Sequence, residues 1–185
     1  MTEGPGAAAT DGPGAGQEWR ASDAQFGVST KEGFDPAFHH KALGEQWAPS
    51  VHDPDGQFQP KEREIADRLE EEGWRVDARK QDDSKQKMRN PESMVRKDPA
   101  DDGLITEFKT LESGEPGAIR RNIKKAAKQV PEADGEAVID GRNVGLTEEM
   151  VDRAYASHER LNDRRPAKLH VILADDRMIT YERRG

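Results

Sequence analysis

The sequence predicts an α/β fold, because helical patterns and strand patterns alternate along the chain from residue 58 onward. In three segments apolar residues recur every three or four positions, which is the spacing of one helix face. Between those segments lie short runs that either alternate in polarity or are continuously apolar, as half-buried and buried strands do. Taken in order, the segments give α-β-β-β-α-β-α-β-β.

The first four elements lie between residues 62 and 111. Glu62 to Glu72 is predicted as a helix because apolar residues form a stripe amid acids and arginines, and Gly73 ends it. Trp74 to Ala78 alternates in polarity as a strand does. Ser93 to Lys97 and Leu104 to Leu111 are predicted as the two strands of a hairpin, since turn-forming residues fill positions 98–103.

The last five elements complete the predicted order. Gly117 to Val130 is predicted as an amphipathic helix, and Ala137 to Ile139 as a short buried strand. Thr147 to Leu161 is a helix that begins with a capping residue. Leu169 to Leu173 and Met178 to Tyr181 are expected to close the fold as a second hairpin.

Three charged residues of the first hairpin have a spacing by which metal-dependent nucleases assemble an active site. Pro91 and Glu92 precede its first strand, and Glu107 and Lys109 lie in its second, giving the pattern P-(D/E)-x14-E-x-K. Two neighbouring carboxylates can hold a hard divalent cation, and an ammonium beside them can orient the attacking water. The sequence therefore predicts a candidate metal-dependent site on this hairpin.

The pairing of the two strands decides whether these side chains meet. If Lys97 faces Leu104, Glu92 lies opposite Lys109, and the alternation of side chains places Glu92, Glu107 and Lys109 on one face. The same charges would also suit an ordinary hairpin whose outer face contacts water. The wider context has to decide between the two interpretations.

The order of elements, with the triplet on the second and third strands, resembles the PD-(D/E)XK nuclease superfamily, whose core is α-β-β-β-α-β. Within that superfamily, the chain looks most like the C-terminal tRNA nuclease domain of CdiA-type contact-dependent growth-inhibition toxins. The similarity runs from roughly residue 50 to the end, and one departure is Glu92, where the superfamily usually has Asp. The stretches that carry it are 61–66, 73–76, 90–92, 103–111, 123–129 and 138–140.

This resemblance implies roles for individual residues. Glu92 and Glu107 would be ligands of Mg²⁺ or Mn²⁺, Lys109 the water-orienting cation, and Glu64 an additional acid near the metal. Gln129 matches a polar position that often borders such a site. Glu64 is equally well explained as a solvated charge, and Gln129 as a surface residue near a helix end.

The activity implied is metal-dependent cleavage of tRNA by a bacterial toxin module that has a cognate immunity protein. Its site of action would be the cytoplasm, after export as an effector. A DNA endonuclease on the same core is an alternative, because the triplet does not distinguish the two substrates. A further alternative is a nuclease fold whose site has degraded and which binds a protein, and Glu92 in the first-acid position favours it.

The helix over 117–130 has one basic side, which suits contact with a phosphate backbone but is also typical of a solvated helix face. The chain has a net charge of −8. Residues 1–60 hold nine acids and three bases, for −6, and residues 61–185 hold 28 acids and 26 bases, for −2. A local basic patch can attract RNA despite a negative total. The candidate residues are Arg120, Arg121, Lys124, Lys125, Lys128 and Gln129, with Lys85, Lys87 and Arg89 in the loop before the hairpin.

The first third of the chain differs in composition from the rest. Residues 1–20 are expected to be a disordered tail, 21–57 an irregular arm, and 58–185 the nuclease-like domain. The scattered aromatic residues of the first two segments suggest an arm that wraps the domain or another protein. They are Trp19, Phe26, Phe34, Phe38 and Trp47.

The remaining composition excludes several classes of protein. No apolar stretch approaches the ~20 residues of a membrane span, so membrane insertion is not expected. The first residues lack the basic region and apolar core of a signal peptide. The chain has no cysteine, which fits a reducing compartment or a toxin that refolds after delivery without disulfide chemistry.

Overall fold

The computed structural model describes residues 20–21, 24–81 and 89–184. Within them it contains three α-helices and nine strands. The helices are α1 (Pro60–Glu71), α2 (Pro116–Gln129) and α3 (Glu148–Arg160). The strands are β1 (Arg20–Ala21), β2 (His39–His40), β3 (Ser50–His52), β4 (Arg75–Ala78), β5 (Ser93–Arg96), β6 (Leu104–Thr110), β7 (Glu136–Asp140), β8 (Lys168–Ile172) and β9 (Met178–Glu182).

Seven strands of the described chain form one mixed sheet in the order β3-β4-β5-β6-β7-β8-β9. The strands β4, β5 and β6 are antiparallel neighbours, whereas β6, β7 and β8 are parallel. Helix α1 packs on one face through Ile65, Ala66 and Leu69, and α2 and α3 cover the other face. The predicted α/β class and the α-β-β-β-α-β core followed by a helix and a hairpin are confirmed.

Local sequence explains where the helices begin. Proline occupies the first turn of α1 and of α2, where its missing N–H costs nothing and its fixed φ suits the helix. Thr147 accepts a hydrogen bond from the backbone N–H of Met150 and caps α3. The helix bounds therefore lie within one or two residues of the predicted ones. None of the described helices is long and apolar enough to cross a membrane.

The arm is more ordered than the sequence indicates. Residues 50–52 add strand β3 to the edge of the main sheet, in parallel with β4, and β2 pairs with β1. Phe26 and Phe38 are buried, so these aromatic residues of the arm pack on its own domain. The arm over 21–57 thus packs on the domain, which is one of the two expectations for its aromatic residues, and its strands β2 and β3 have only two and three residues. The predicted tail, apart from residue 20, and Trp19, Lys85 and Lys87 lie outside the described residues.

Two buried arginines hold the arm against the sheet. The Arg79 guanidinium donates to the backbone carbonyls of Ala37 (2.8 Å) and Phe26 (2.5 Å). The Arg96 side chain is fully buried and donates to three further arm carbonyls and to Asp77. These contacts explain why a segment without helical or strand periodicity is nevertheless fixed, since a buried guanidinium needs partners for its donors.

Candidate active site

The first hairpin brings Glu92, Glu107 and Lys109 together, although its register differs from the predicted one. Leu104 pairs with Val95 rather than with Lys97, so extension of the pairing places Glu92 level with Glu107 instead of Lys109. A shift of two residues keeps every side chain on its face, so the three predicted residues still share one side of the sheet.

The turn of the hairpin explains the shift. The Asp101 carboxylate accepts hydrogen bonds from the backbone N–H groups of Lys97 and Gly103, both at 2.8 Å. Lys97 is thereby held in the turn and cannot pair with Leu104. The aspartate is thus a turn residue, as expected, and it sets the register that positions the acids.

The strands β5 and β6 separate at the position of the acids. Their backbone pairing ends at Ser93 and Thr106, and beyond it the Glu92 carboxylate accepts a hydrogen bond from the backbone N–H of Phe108 at 3.2 Å. The separation opens a cleft of about 470 Å³ beside the first turn of α1. Its lining includes Gln59, Pro60, Lys61, Glu62, Ile65, Glu92, Phe108, Lys109, Thr110 and Glu112.

The Glu107 carboxylate contacts the side chain of Lys109, which lines this cleft. Glu107 is only 2% exposed, and its Oε1 accepts a hydrogen bond from the Lys109 ammonium, whose side chain is 25% exposed. The other oxygen, Oε2, is buried and has no hydrogen-bond donor among the described residues. A buried carboxylate oxygen without a partner is costly, so this atom marks a place where a cation or a proton belongs.

The pKa values of the triplet follow from this geometry. Burial raises the pKa of Glu107 well above its ordinary value, the neighbouring Glu92 carboxyl raises it further, and Lys109 only partly offsets these effects. Burial alone would lower the pKa of Lys109, but the charges of Glu107 and Glu92 outweigh it and raise that pKa. Without metal the Glu107 carboxyl therefore favours holding a proton, while the lysine stays charged.

The acid of α1 that lies at the cleft is Glu62, whereas the sequence predicted Glu64. Glu64 is exposed and lines a separate depression together with Arg142, and it does not line the cleft of Glu92 and Lys109. Glu62 lines the cleft instead, and its Oε2 accepts a hydrogen bond from the backbone N–H of Gln59 at 2.8 Å. Burial raises the pKa of Glu62, and the charge of Glu92 adds to the increase.

Helix geometry explains why Glu62 rather than Glu64 lies at the cleft, and the apolar pattern of the sequence already indicates it. Glu62 lies three residues before Ile65 and four before Ala66, which places it on the face of α1 that packs on the sheet. Glu64 lies about 200° around the helix from Glu62, at roughly 100° per residue. The apolar stripe therefore already favoured Glu62.

The donor set fits a hard divalent cation. The described residues contain no group of three or more His, Cys, Asp or Glu side chains arranged to hold a metal. Two protein ligands, Glu92 and Glu107, would therefore have to be completed by water. The unpartnered Oε2 of Glu107 offers one of these ligand atoms. Mg²⁺ usually binds one or two carboxylates and keeps several waters, which is compatible with such a pair beside an open cleft.

The basic side of α2 divides into two groups. Arg120 and Lys124, the clamped pair, contact the Asp163 carboxylate at 3.4 Å and 3.0 Å. The second group, the outer stripe, is spaced i, i+4, i+7 and is exposed, and no ion pair joins it to a carboxylate in the part of the chain that the structure describes. The outer stripe consists of Arg121, Lys125 and Lys128.

Two other predicted contacts with nucleic acid lie away from the acids. Gln129 is half-buried at the end of α2 and does not line the cleft. The Arg89 guanidinium lies 5.3 Å from the centre of the Phe26 ring, and Arg89 lines another depression with Pro131. The structure thus brings together Glu92, Glu107 and Lys109 and adds Glu62, whereas it leaves Glu64, Arg89 and Gln129 outside the cleft.

Comparison with known proteins supports the fold. No protein-family model matches the chain, and no curated protein sequence matches it. A solved chain with similar structure belongs to the CdiA-CT/CdiI toxin and immunity complex from Burkholderia pseudomallei, with a TM-score of 0.52 and 14% sequence identity. The superposition covers 72% of this chain and 98% of that chain. At this identity the likeness establishes the α/β fold, while the activity has to be argued from the site.

Proposed function

We propose that this chain is a metal-dependent ribonuclease domain of the PD-(D/E)XK type that cleaves phosphodiester bonds in tRNA and acts as a bacterial toxin module. The observation that carries the proposal is the convergence of Glu92, Glu107 and Lys109 beside an open cleft, with one buried carboxylate oxygen lacking a partner. The likeness to a chain of a toxin and immunity complex supports the toxin part.

The residues of the cleft suit hydrolysis by water. Glu92 and Oε2 of Glu107 would hold Mg²⁺ or Mn²⁺, which when bound neutralises phosphate charge and lowers the pKa of water. Lys109 has a raised pKa and remains an ammonium, so it orients the attacking water and stabilises negative charge on the phosphate.

Proton transfer can be assigned to Glu62. Its raised pKa and its position in the cleft near Lys109 suit it to accept the proton that water loses as the new P–O bond forms. The old P–O bond breaks at the same phosphorus, and the departing oxygen takes a proton from solvent. The carboxylates and the ammonium thus have separate tasks.

The outer stripe of α2 is the proposed contact with the RNA backbone. Its three cations are exposed and have no carboxylate partner among the described residues, whereas Asp163 already neutralises part of the charge of the clamped pair. Each phosphate contact releases counterions, so binding should weaken as salt rises. A tRNA substrate places the site of action in the cytoplasm, and a cognate immunity protein is the expected partner of such a toxin.

A protein-binding module that has lost catalysis is the second candidate. The observation that favours it is that the described residues contain no cluster of three or more side chains arranged to hold a metal. A protein-binding module would have no need for the raised pKa values of Lys109 and Glu62. We therefore prefer catalysis.

One assay separates these functions and the DNA alternative. The purified full chain is incubated with total tRNA and, separately, with plasmid DNA, in Mg²⁺, Mn²⁺ or EDTA. We expect cleavage of tRNA with either metal and none in EDTA. Cleavage of plasmid alone would replace the substrate with DNA, and cleavage of neither substrate would favour the binding module.

A further inference from the structure

A second cavity, of about 410 Å³, lies next to the cleft of the acids. It is formed between the arm and the ends of β3 and β4, and the function proposed above makes no use of it. The residues that matter for what it could bind are Val28, His52, Asp55, Gln57, Gln81 and Asn90.

Two segments of the chain form a partition between this cavity and the cleft. Gln57 lines the cavity and Gln59 lines the cleft, and in the same way Asn90 lines the cavity and Glu92 the cleft. Two residues span at most about 7 Å, so the walls of the two spaces are close. A polynucleotide with one phosphate at the acids could therefore place a neighbouring nucleotide in the cavity.

The cavity offers amide groups that can recognise the edge of a base. The backbone N–H of Gln81 donates to Gln57 Oε1 and the Gln81 side-chain amide donates to the Asn90 carbonyl, both at 3.3 Å. These bonds fix the two glutamines and leave the Gln57 NH₂ group and the Gln81 Oε1 atom without a hydrogen-bond partner among the described residues. Amide side chains of this kind hydrogen-bond to bases exposed from single strands.

One wall of the cavity is apolar and exposed. Val28 is 57% exposed, and it is one of two large hydrophobic residues in the described chain with such exposure. An apolar side chain at the rim of a polar cavity suits the flat face of a base. The exposed imidazole of His52 lies at the same cavity and can also stack on a base.

The carboxylates of the cavity select the kind of group that enters. Asp53 already accepts hydrogen bonds from the backbone N–H groups of Gln57 and Phe58, at 2.7 Å and 3.0 Å. Asp55 is exposed and makes no hydrogen bond or ion pair with the described residues. An unpaired carboxylate repels phosphate and accepts hydrogen bonds from an amino group. Lys31 and Lys80 also line the cavity, but Lys31 contacts Asp35 at 4.0 Å and the three aspartates outnumber the two lysines, so the cavity suits a base rather than a phosphate.

We propose that this cavity binds one base of the RNA substrate beside the scissile phosphate, and that Asp55 makes it favour a base with an exocyclic amino group over uracil. The proposal rests on the proposed function for the link to cleavage, but base binding itself does not depend on catalysis. It gives the domain a sequence preference next to the cut.

Binding of mononucleotides tests the cavity directly. The full chain is titrated with AMP, GMP, CMP and UMP, and the Kd values are measured by calorimetry or by NMR shifts. We expect at least one amino-bearing nucleotide to bind about tenfold more tightly than UMP, which corresponds to roughly one good hydrogen bond. Asp55→Ala should remove that difference and Gln57→Ala should weaken binding of all four, whereas Asp67→Asn on the exposed side of α1 should change neither.

A second measurement keeps this result separate from the proposed catalysis. Titration in EDTA should give the same nucleotide selectivity as titration in Mg²⁺, because the proposed metal ligand Glu92 lines the other space. Nucleotide selectivity without any RNA cleavage would refute the nuclease and retain the base cavity. Cleavage of RNA with no nucleotide selectivity, and with the same cut positions in wild type and Asp55→Ala, would overturn the cavity proposal and retain the nuclease.

Discussion

Replacement of Arg96 by alanine should strongly destabilise the whole domain, because this side chain joins the arm to the sheet. Its guanidinium donates to the carbonyls of Lys41 (3.1 Å), Pro36 (2.8 Å) and His39 (2.9 Å), and its side chain is 0% exposed. It also contacts Asp77, at 3.3 Å. The substitution removes the Arg96 hydrogen bonds to three arm carbonyls and opens a cavity beneath the arm.

The expected loss can be worked out from these contacts. The loss of three hydrogen bonds to arm carbonyls, at about 1 kcal/mol each, lowers the free energy of unfolding by about 3 kcal/mol. Removal of one member of a buried charged pair costs about 3 to 5 kcal/mol, and here the lower value applies because Arg75 also contacts Asp77, at 2.8 and 2.9 Å. Native domains have about 5 to 15 kcal/mol of stability, so the variant should lose a large fraction of it.

Urea denaturation measures the free energy of unfolding of wild type and variants. Arg63→Ala is the control, since Arg63 makes an exposed ion pair with Asp67 that should be worth about 0 to 1 kcal/mol. Arg96→Lys keeps the charge without the planar fork and should recover only part of the loss. A loss below about 1 kcal/mol for Arg96→Ala would refute the role of this side chain in fixing the arm. Deletion of residues 1–57 should then also leave the domain stable.

Three further predictions concern the cleft. Glu107 has a raised pKa, so its carboxyl favours folding at pH below its unfolded pKa and loses that contribution as pH rises through the folded pKa. Glu107→Gln should therefore flatten the pH dependence of stability and abolish stabilisation by Mg²⁺. Both effects are measured as changes in melting temperature. Glu62→Gln should slow RNA cleavage at least tenfold, whereas Glu64→Gln should not; equal rates for the two would remove Glu62 from proton transfer. Charge reversal of the outer stripe should weaken RNA binding and reduce its salt dependence more than reversal of the clamped pair, and equal effects would contradict the division of the helix.

The sequence was sufficient for the elements and for the face that the acids share. Both depend on local periodicity, which the apolar stripe of α1 and the alternation around Glu107 display clearly. The predicted register of the first hairpin was wrong by two residues, but the acids still lie on the predicted face of the sheet because side chains alternate with period two. The choice between Glu62 and Glu64 could also have been made locally, from the stripe that includes Ile65.

The arm could not be predicted in this way, because the contacts that hold it are distant in sequence. Arg96 meets carbonyls 55 to 60 residues away, and neither its charge nor its neighbours indicate burial. Strand β3 has three residues and pairs with β4 across α1, so it has too little periodicity of its own to be recognised. The register of the first hairpin likewise depends on the Asp101 side chain, which a count of turn-forming residues does not resolve.

The most direct test of the central claim is single-turnover cleavage of tRNA by wild type, Lys109→Ala and the control Lys168→Ala, at saturating Mg²⁺ and with RNA affinity measured in parallel. Lys168 forms an exposed ion pair with Glu182 on the last strands and should not affect catalysis. We expect Lys109→Ala to lower the cleavage rate by at least about 100-fold with nearly unchanged Kd, since its ammonium acts on the transition state. Cleavage by Lys109→Ala at the rate of the control would contradict the assignment of this site.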